Sequence, residues 1–166
     1  MSEELSNERT KAIRSILSEV TDPEIPVLTI EDLGIIRDIQ MEGNEVLVTI
    51  TPTYSGCPAM DVIGEDIKSA LKTAGFEAKV KLVLSPAWTT DWISEAGRRK
   101  LEAYGIASPL DPSKDKRALL HGEKIVKCTH CGSTNTHLVS QFGSTACKAL
   151  FQCDDCQEPF DYFKCL

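Results

Sequence analysis

The chain has 166 residues, of which 42% are hydrophobic and 26% charged, and its formal net charge at pH 7 is −7. These values are typical of a globular protein and exclude wholesale disorder, which requires low hydrophobicity with high net charge. The acidic balance argues against nucleic acid and anionic membrane surfaces as partners, because both need clustered cations. No apolar run approaches the roughly 18 residues of a membrane-spanning helix.

The amino terminus is acidic and lacks the apolar segment of a secretory signal, so we expect a cytoplasmic protein. The seven cysteines would then lie in a reducing compartment, where clustered thiols indicate metal or redox chemistry more often than disulfides. Cys57 stands alone, whereas the other six lie at or after residue 128.

The first half of the chain has the periodicities of a mixed α and β domain. Apolar residues at helical spacing predict a helix that ends by Thr21, before a stiff proline-containing turn at residues 22–26. Three strands and two further helices are predicted, the strands at 35–41, 45–51 and 79–84 and the helices at 60–74 and 92–104. This order, α-β-β-α-β-α, favours an α+β fold in which helices cover a small mixed sheet.

Residues 108–116 are polar and contain two prolines. We therefore interpret residues 107–124 as a linker between two domains, at 1–106 and 125–166. The charge divides in a similar way, because residues 1–106 carry a net charge of −7 and the remainder of the chain carries none.

Two Cys-x-x-Cys knuckles near the carboxyl end are separated by 21 residues, and their cysteines are Cys128, Cys131, Cys153 and Cys156. Two residues between paired cysteines let both thiolates reach one ion, and two such turns close a tetrahedral four-sulfur shell that suits Zn²⁺. Strand-like runs predict a small β zinc ribbon, at 136–141, 149–152 and 160–164. One structural zinc is the expected cofactor, and an iron site with the same ligands stays open because sequence separates the two metals poorly.

Two more cysteines of the second half, Cys147 and Cys165, have no partner in a Cys-x-x-Cys motif. They are either packing residues or accessory thiols near the knuckles, and the sequence leaves both interpretations open. His130 and His137 are expected at the surface, because four cysteines already complete the metal shell.

Cys57 is expected just before a helix, because Pro58 suits a first helical position. A helix N-terminus carries partial positive charge, so we expect a lowered thiol pKa and a thiolate that binds metal or attacks an electrophile. All three histidines lie in the second half, so no base for nucleophilic catalysis is visible in the first domain. A buried structural cysteine is the alternative to a functional one.

A single cysteine cannot hold an iron–sulfur cluster, so a homodimer, a partner or small thiols would have to complete the ligand shell. Such incomplete ligation suits transient transfer of a cluster rather than storage. Asp22 and Glu24, on the proline-containing turn, could assist Cys57, or could simply be solvated there.

Short motifs along the chain resemble known families. The first half resembles the iron–sulfur assembly domain of bacterial SufT-type proteins and of eukaryotic cytosolic iron–sulfur targeting factors. The motifs are Asp-Pro-Glu-Ile-Pro at 22–26, Asp-Leu-Gly at 32–34, and the segment from Thr-Pro to Gly-Cys-Pro at 51–58. Nearly the whole chain resembles the PaaD family (also called PaaJ) of bacterial phenylacetic acid degradation, through residues 85–92, 142–150 and 158–165.

The PaaD resemblance implies a non-catalytic protein that accompanies the multicomponent phenylacetyl-CoA epoxidase. It implies maturation of an iron–sulfur component, above all the flavin and [2Fe–2S] reductase, with Cys57 as the family's reactive cysteine. An integral structural subunit of the epoxidase is the alternative, with aromatic interface anchors at Trp88, Trp92, Phe160, Tyr162 and Phe163. A nucleic-acid-binding ribbon and an enzyme acting alone are weaker hypotheses, since the ribbon half is neutral and no phosphate loop or catalytic triad is present.

Overall fold

The computed structural model describes residues 2–164 of the chain. These residues form two compact units, of which the first ends at Ser94 and the second begins at Glu95. The division lies earlier along the chain than the expected domain end at residue 106. Among the described residues, none of the helices has both the length and the apolar character needed to cross a bilayer.

The first unit contains two long helices and a three-stranded sheet. Its elements are α1 (Ser2–Leu17), β1 (Ile36–Glu42), β2 (Glu45–Ile50), α2 (Ala59–Thr73) and β3 (Glu77–Leu82). The sheet has the order β1-β2-β3, with β1 antiparallel and β3 parallel to the central strand. A parallel neighbour needs a crossover, and α2 supplies it. The predicted mixed sheet with helices is therefore confirmed.

The core of this unit follows from the sequence periodicities. Every second residue of β2 is buried, namely Val46, Val48 and Ile50. The two helices contribute buried apolar residues at helical spacing, among them Ile13 and Leu17 from α1 and Ile63, Ile67 and Leu71 from α2. Gly64 of α2 faces β3, and a Cβ there would make only an ordinary van der Waals contact with Val80 at 3.9 Å, so this packing does not depend on glycine.

The segment that follows β3 packs against the turn at residues 32–34. The indole N–H of the buried Trp88 donates to the Leu33 carbonyl over 2.7 Å. Gly34 has a φ of 70° and lies against Trp92, whose carbonyl oxygen would be only 2.5 Å from a Cβ at this position. Glycine is therefore required at position 34 both by the backbone conformation and by the close contact.

The helix predicted over 92–104 is wrong at its start. A short 3₁₀ turn covers Thr90–Trp92, Ile93 is extended, and α3 spans Glu95–Tyr104. The break has a tertiary cause, because the backbone N–H and the hydroxyl of Ser94 donate to the carbonyl and the carboxylate of Asp32, at 2.8 and 3.0 Å. Helical geometry at Ser94 would give up both bonds.

The second unit continues from α3 into a four-stranded sheet with the order β4-β7-β6-β5. Its other elements are β4 (Ile106–Ala107), α4 (Pro112–His121), β5 (Thr136–Ser140), β6 (Lys148–Cys153) and β7 (Pro159–Phe163). Strands β5, β6 and β7 pair antiparallel, as the predicted ribbon requires, and β4 adds to β7 in parallel. The α+β fold followed by a small β ribbon is therefore confirmed.

The segment at 107–124 is not an unstructured linker. Asp111 caps α4 by accepting the Lys114 N–H at 3.0 Å, and Pro112 occupies the first turn, where its missing N–H costs nothing. The buried Asp115 of α4 accepts a hydrogen bond from the Tyr162 hydroxyl at 2.6 Å. The Asp-Pro pair that suggested a linker is thus a helix start, and α4 belongs to the second unit.

Candidate functional site

Cys57 lies in the loop that carries the chain from β2 to α2. Pro58 already has helical dihedrals, φ −68° and ψ −21°, and α2 begins at Ala59. The predicted position of Cys57 just before a helix is confirmed. The thiol is half-buried, and Gly56 has a φ of 79°, which allows the loop to turn immediately before it.

Asp22 and Glu24 lie on a turn whose shape Asp22 fixes. One Asp22 carboxylate oxygen, Oδ1, accepts the backbone N–H groups of Glu24 and Ile25 at 2.7 and 2.9 Å. Asp22 is only 8% exposed, whereas Glu24 is half-buried. Asp22 is therefore a structural part of the turn and not a freely solvated carboxylate, and the turn presents Glu24 beside it.

These two carboxylates lie close enough to Cys57 for their charges to act on its sulfur. Burial is the main reason that the pKa of the Cys57 thiol is raised above its ordinary value, and the negative charges of Glu24 and Asp22 raise it further. The expectation of a lowered thiol pKa is therefore wrong. The backbone N–H of Ala59, at the start of α2, does act to lower the pKa of the thiol, but burial outweighs it. The structure brings the three predicted residues into one site.

Tyr54 is a site residue that the sequence motifs did not single out. Its side chain lies near Cys57 and acts to lower the pKa of the thiol, against the larger effect of burial. The sequence carried only a weak signal for this contact, namely a phenol three residues before the cysteine in a glycine-containing loop. Thr51 begins the same loop, and its buried hydroxyl has no hydrogen-bond partner within residues 2–164.

The second candidate site is the group of four knuckle cysteines in the second unit. The sulfurs of Cys128, Cys131, Cys153 and Cys156 all lie within 4.8 Å of one another. Two of the separations are 3.7 Å, for Cys128 and Cys156, and 3.5 Å, for Cys131 and Cys153. Four sulfurs placed tetrahedrally at a zinc–sulfur distance of about 2.3 Å would be about 3.8 Å apart. The group is therefore compatible with a structural metal.

The chemistry of the four thiols also fits a cation at their centre. A hydrogen bond from the Cys156 N–H is the main reason that the pKa of Cys153 is lowered to about 7. The Glu158 N–H acts likewise on Cys156, but burial and the neighbouring sulfurs outweigh it and raise that pKa to about 12. Thiols this close cannot all ionise without a positive charge between them, and a bound metal would supply it.

The remaining thiols and imidazoles lie outside this group. Cys147 is buried, and its sulfur is 3.0 Å from the Thr145 hydroxyl. His130 lies 3.2 Å from the Pro159 carbonyl oxygen through Nε2, and His137 contacts Asp154 at 2.8 Å; both ring contacts are at the protein surface. Cys165 lies outside the described residues.

The aromatic residues considered as interface anchors are mostly core residues. Trp88 is 3% exposed, and Phe160, Tyr162 and Phe163 are 4% exposed or less. Trp92 is half-buried, with the Arg37 guanidinium 3.8 Å above its ring. Four of the five side chains therefore stabilise their own unit and are not displayed to a partner.

Comparison with known families matches the two parts of the chain to two different families. Residues 10–83 match an iron–sulfur cluster assembly protein family. Residues 112–164 match the PaaD zinc β ribbon domain. The first match contains Asp22, Glu24 and Cys57, and the second contains all four clustered cysteines.

Some similar proteins match nearly the whole chain, and others match about half of it. A protein of Escherichia coli (strain K12), provisionally named as one of the subunits of 1,2-phenylacetyl-CoA epoxidase, is 49% identical over 93% of this chain and 92% of its own length. An Fe–S protein maturation auxiliary factor of Bacillus subtilis (strain 168) is 34% identical over 49% of this chain and 82% of its own.

Among solved structures, a DUF59 domain from Bacillus anthracis has a TM-score of 0.52 and 29% identity, and the match covers 55% of this chain and 89% of that one. The identity and coverage of the Escherichia coli relative, together with the two domain matches, establish the family. The chain belongs to the PaaD family of phenylacetyl-CoA epoxidase subunits, which join an iron–sulfur cluster assembly domain to a zinc ribbon.

Proposed function

We propose that this protein is a non-catalytic accessory factor that inserts an iron–sulfur cluster into the [2Fe–2S] reductase of the phenylacetyl-CoA epoxidase. Cys57 is the ligand that handles the cluster, and Asp22 and Glu24 shape its surroundings. The protein acts in the cytoplasm, where the epoxidase components are its partners. A second copy of the chain, a partner protein or small thiols complete the ligand shell of the cluster.

The observation that carries this proposal is the setting of Cys57 within an iron–sulfur assembly domain. The thiol is half-buried in a loop, two carboxylates bear on it, and the three histidines of the chain all lie in the second unit. A cysteine without a base is poorly equipped for acyl transfer. Burial and the nearby carboxylates favour the protonated Cys57 thiol, and the thiol must lose this proton to bind iron. Protonation therefore competes with iron binding, so the bond between Cys57 and a cluster is easily reversed.

The four clustered cysteines hold one structural zinc in this proposal. Zinc fits because the donor set is all sulfur and the sulfur separations suit a tetrahedron with zinc–sulfur bonds. Cys128 and Cys153 are also members of the apolar core of the second unit, so the metal would stabilise that core directly. The ribbon then serves as a folded docking module and takes no part in cluster handling.

Cluster insertion into the purified apo-reductase tests the proposal. The full-length chain is loaded with a [2Fe–2S] cluster in the presence of glutathione and mixed with the apo-reductase. Wild type is expected to restore the reductase cluster, and Cys57→Ser to lose most of this ability while keeping its circular dichroism spectrum. Ser55→Ala, an exposed change in the same loop, is the matched control and should behave as wild type. Equal insertion by wild type and Cys57→Ser would refute the proposal.

A second candidate is an integral subunit of the epoxidase, which is favoured by the name of the Escherichia coli relative. Stoichiometric co-purification of this chain with the oxygenase component, unaffected by Cys57→Ser and without any change in reductase clusters, is the result this alternative predicts. The burial of Trp88, Phe160, Tyr162 and Phe163 weighs against it, because aromatic anchors must be accessible before binding.

A further inference from the structure

The register of the ribbon sheet places Asn135 beside the second cysteine knuckle. Thr136 pairs with Cys153 between the antiparallel strands β5 and β6, so the residue before β5 lies opposite the residue after β6. The Asp154 N–H accordingly donates to the Asn135 carbonyl over 2.8 Å. Asn135 follows the first knuckle, which ends at Cys131, and Asp154 lies inside the second. The backbone therefore connects the segment after the first knuckle to the second knuckle.

The side-chain amide of Asn135 bonds to two groups with opposite hydrogen-bonding requirements. Its oxygen, Oδ1, accepts from the Lys124 ammonium group, which can only donate and which also contacts Asp154 at 2.9 Å. Its nitrogen, Nδ2, donates over 2.9 Å to the Asp155 carboxylate, which can only accept. An aspartate in place of Asn135 would set two carboxylates against each other, and an alanine would leave both bonds unmade. The two bonds therefore require an amide at this position.

Ser133 extends these contacts to the first knuckle. Its hydroxyl donates to the other oxygen of the Asp155 carboxylate, Oδ2, and accepts the Asn135 N–H over 3.0 Å. Its carbonyl accepts the N–H of the first-knuckle residue Cys128 over 2.8 Å. A network of hydrogen bonds thus joins the two knuckles without using any of the four sulfurs. The five members of this inter-knuckle network are Lys124, Ser133, Asn135, Asp154 and Asp155.

We propose that Asn135 is a positioning residue of the metal centre: its amide holds the second knuckle against the first and slows release of the metal. This role rests on the proposed structural zinc, whose four sulfur ligands come from both knuckles, two from each. Release requires the sulfurs of one knuckle to move away from those of the other, and the inter-knuckle network opposes that movement. Groups outside a ligand shell that orient the ligands typically change metal affinity by roughly 10- to 100-fold.

The rate of zinc release from Asn135→Asp tests the inference. The variant side chain has the same size but places a carboxylate opposite Asp155, so the knuckles should separate more readily. Transfer of zinc to an excess of a chromogenic chelator is expected to be about tenfold faster than in wild type. Thr134→Asp adds the same charge at the neighbouring, exposed position, outside the inter-knuckle network, and should match wild type. Equal rates for wild type and Asn135→Asp, or for the two variants, would overturn the inference.

A double variant distinguishes a specific contact from a general loss of stability. Asn135→Asp combined with Asp155→Asn exchanges the amide and the carboxylate. Residue 135 can then accept from Lys124 and from the new amide, whose oxygen can accept from Ser133. Because every bond of the exchanged pair has a partner again, zinc release should return to within about twofold of the wild-type rate. Two unrelated destabilising changes would add instead, so a double variant that releases zinc faster than Asn135→Asp would overturn the inference.

Zinc content separates the failure of this inference from the failure of the proposed zinc site. Wild type with one zinc per chain, together with an equal rate of release from Asn135→Asp, would refute the role of Asn135 and leave the zinc site standing. Wild type without zinc, or zinc that Cys131→Ser retains, would refute the zinc site, and the role of Asn135 would fail with it.

A measurement on zinc-bound wild type needs no variant to fold. Nδ2 of Asn135 is bonded to Asp155, whereas Asn7 is an exposed residue of α1. Hydrogen exchange of the bonded side-chain amide proton of Asn135, followed by NMR, should therefore be at least about tenfold slower than that of Asn7. Exchange at the same rate at both positions would overturn the inference.

Discussion

Cys57 is a thiol whose nearest neighbours act on it in opposite directions. Burial and the charges of Glu24 and Asp22 disfavour the thiolate, whereas the Ala59 N–H and the Tyr54 hydroxyl favour it, and the thiol pKa is raised on balance. At neutral pH the free thiol is therefore protonated, and alkylation, which needs the thiolate, is slow. Reactivity then rises about tenfold for each pH unit until the raised pKa is reached.

Removal of one opposing charge should make this thiol more reactive. Glu24→Gln lowers the pKa of Cys57, so more thiolate is present at neutral pH and iodoacetamide should react about twofold faster. Mass spectrometry of the peptide that contains Cys57 follows this cysteine separately from the other six. Glu42→Gln is the control, because Glu42 lies at the β1–β2 turn, at the other end of β2 from the Cys57 loop. An unchanged or slower reaction of Glu24→Gln would show that the carboxylate does not act on the sulfur.

The turn at residues 32–34 and the segment after β3 stabilise each other through a contact that only glycine permits. Two glycines of the first unit, Gly34 and Gly43, have φ values of 70° and 65°, but only Gly34 of this pair is crowded. Gly43→Ala should cost about 1 kcal/mol from backbone strain alone. Gly34→Ala adds a clash with the Trp92 carbonyl and should cost more than about 3 kcal/mol in the free energy of unfolding, as measured in urea. An equal loss of unfolding free energy in the two variants would mean that the close contact with Trp92 does not add to the destabilisation of Gly34→Ala.

Elements whose signals are local were predictable from the sequence. The alternation of apolar and other residues predicted β2, and the spacing of the cysteines predicted that four of them lie together, namely Cys128, Cys131, Cys153 and Cys156. The failures depend on contacts between distant residues. Asp111-Pro112 is compatible with a linker or with a helix start, and the choice depends on tertiary contacts of α4: the bond from Tyr162 to Asp115 and the burial of Ala118 in the core of the second unit.

The Cys57 site was predictable in position but not in electrostatics. The cysteine, the two carboxylates and the following helix all follow from short motifs. The raised pKa does not, because it depends on burial and on through-space charges from a turn more than thirty residues away in sequence. The helix-terminus effect that the sequence does reveal is real, but it is the smaller effect.

The two units of the molecule should respond differently to loss of metal. Cys128 and Cys153 contribute to the apolar core of the second unit, whereas the core of the first unit consists of apolar side chains from α1, α2, the sheet and the segment between α1 and β1. Chelation of a structural zinc should therefore remove hydrogen-exchange protection from β5, β6 and β7 and leave that of β2 and α2 unchanged. Cys131→Ser should have the same effect without a chelator. Full protection of the ribbon in metal-free protein would contradict a structural role for the metal.

Metal analysis of the same purified proteins identifies the ion. One zinc per chain is expected, and it should be lost in Cys131→Ser and retained in Cys57→Ser. This pair of variants separates the metal of the ribbon from any cargo bound at Cys57. Iron in place of zinc would support the four-sulfur geometry but contradict the proposed identity of the structural ion.

The proposed delivery of an iron–sulfur cluster by Cys57 to the epoxidase reductase is tested most directly in cells. The measurement is the iron and acid-labile sulfide content of that reductase, purified from cells that produce wild type, Cys57→Ser or none of this chain. We predict a reductase poor in cluster without the chain, restored by wild type and not by Cys57→Ser. A reductase fully loaded in all three strains would contradict the proposal and would leave Cys57 as a packing residue of a structural subunit.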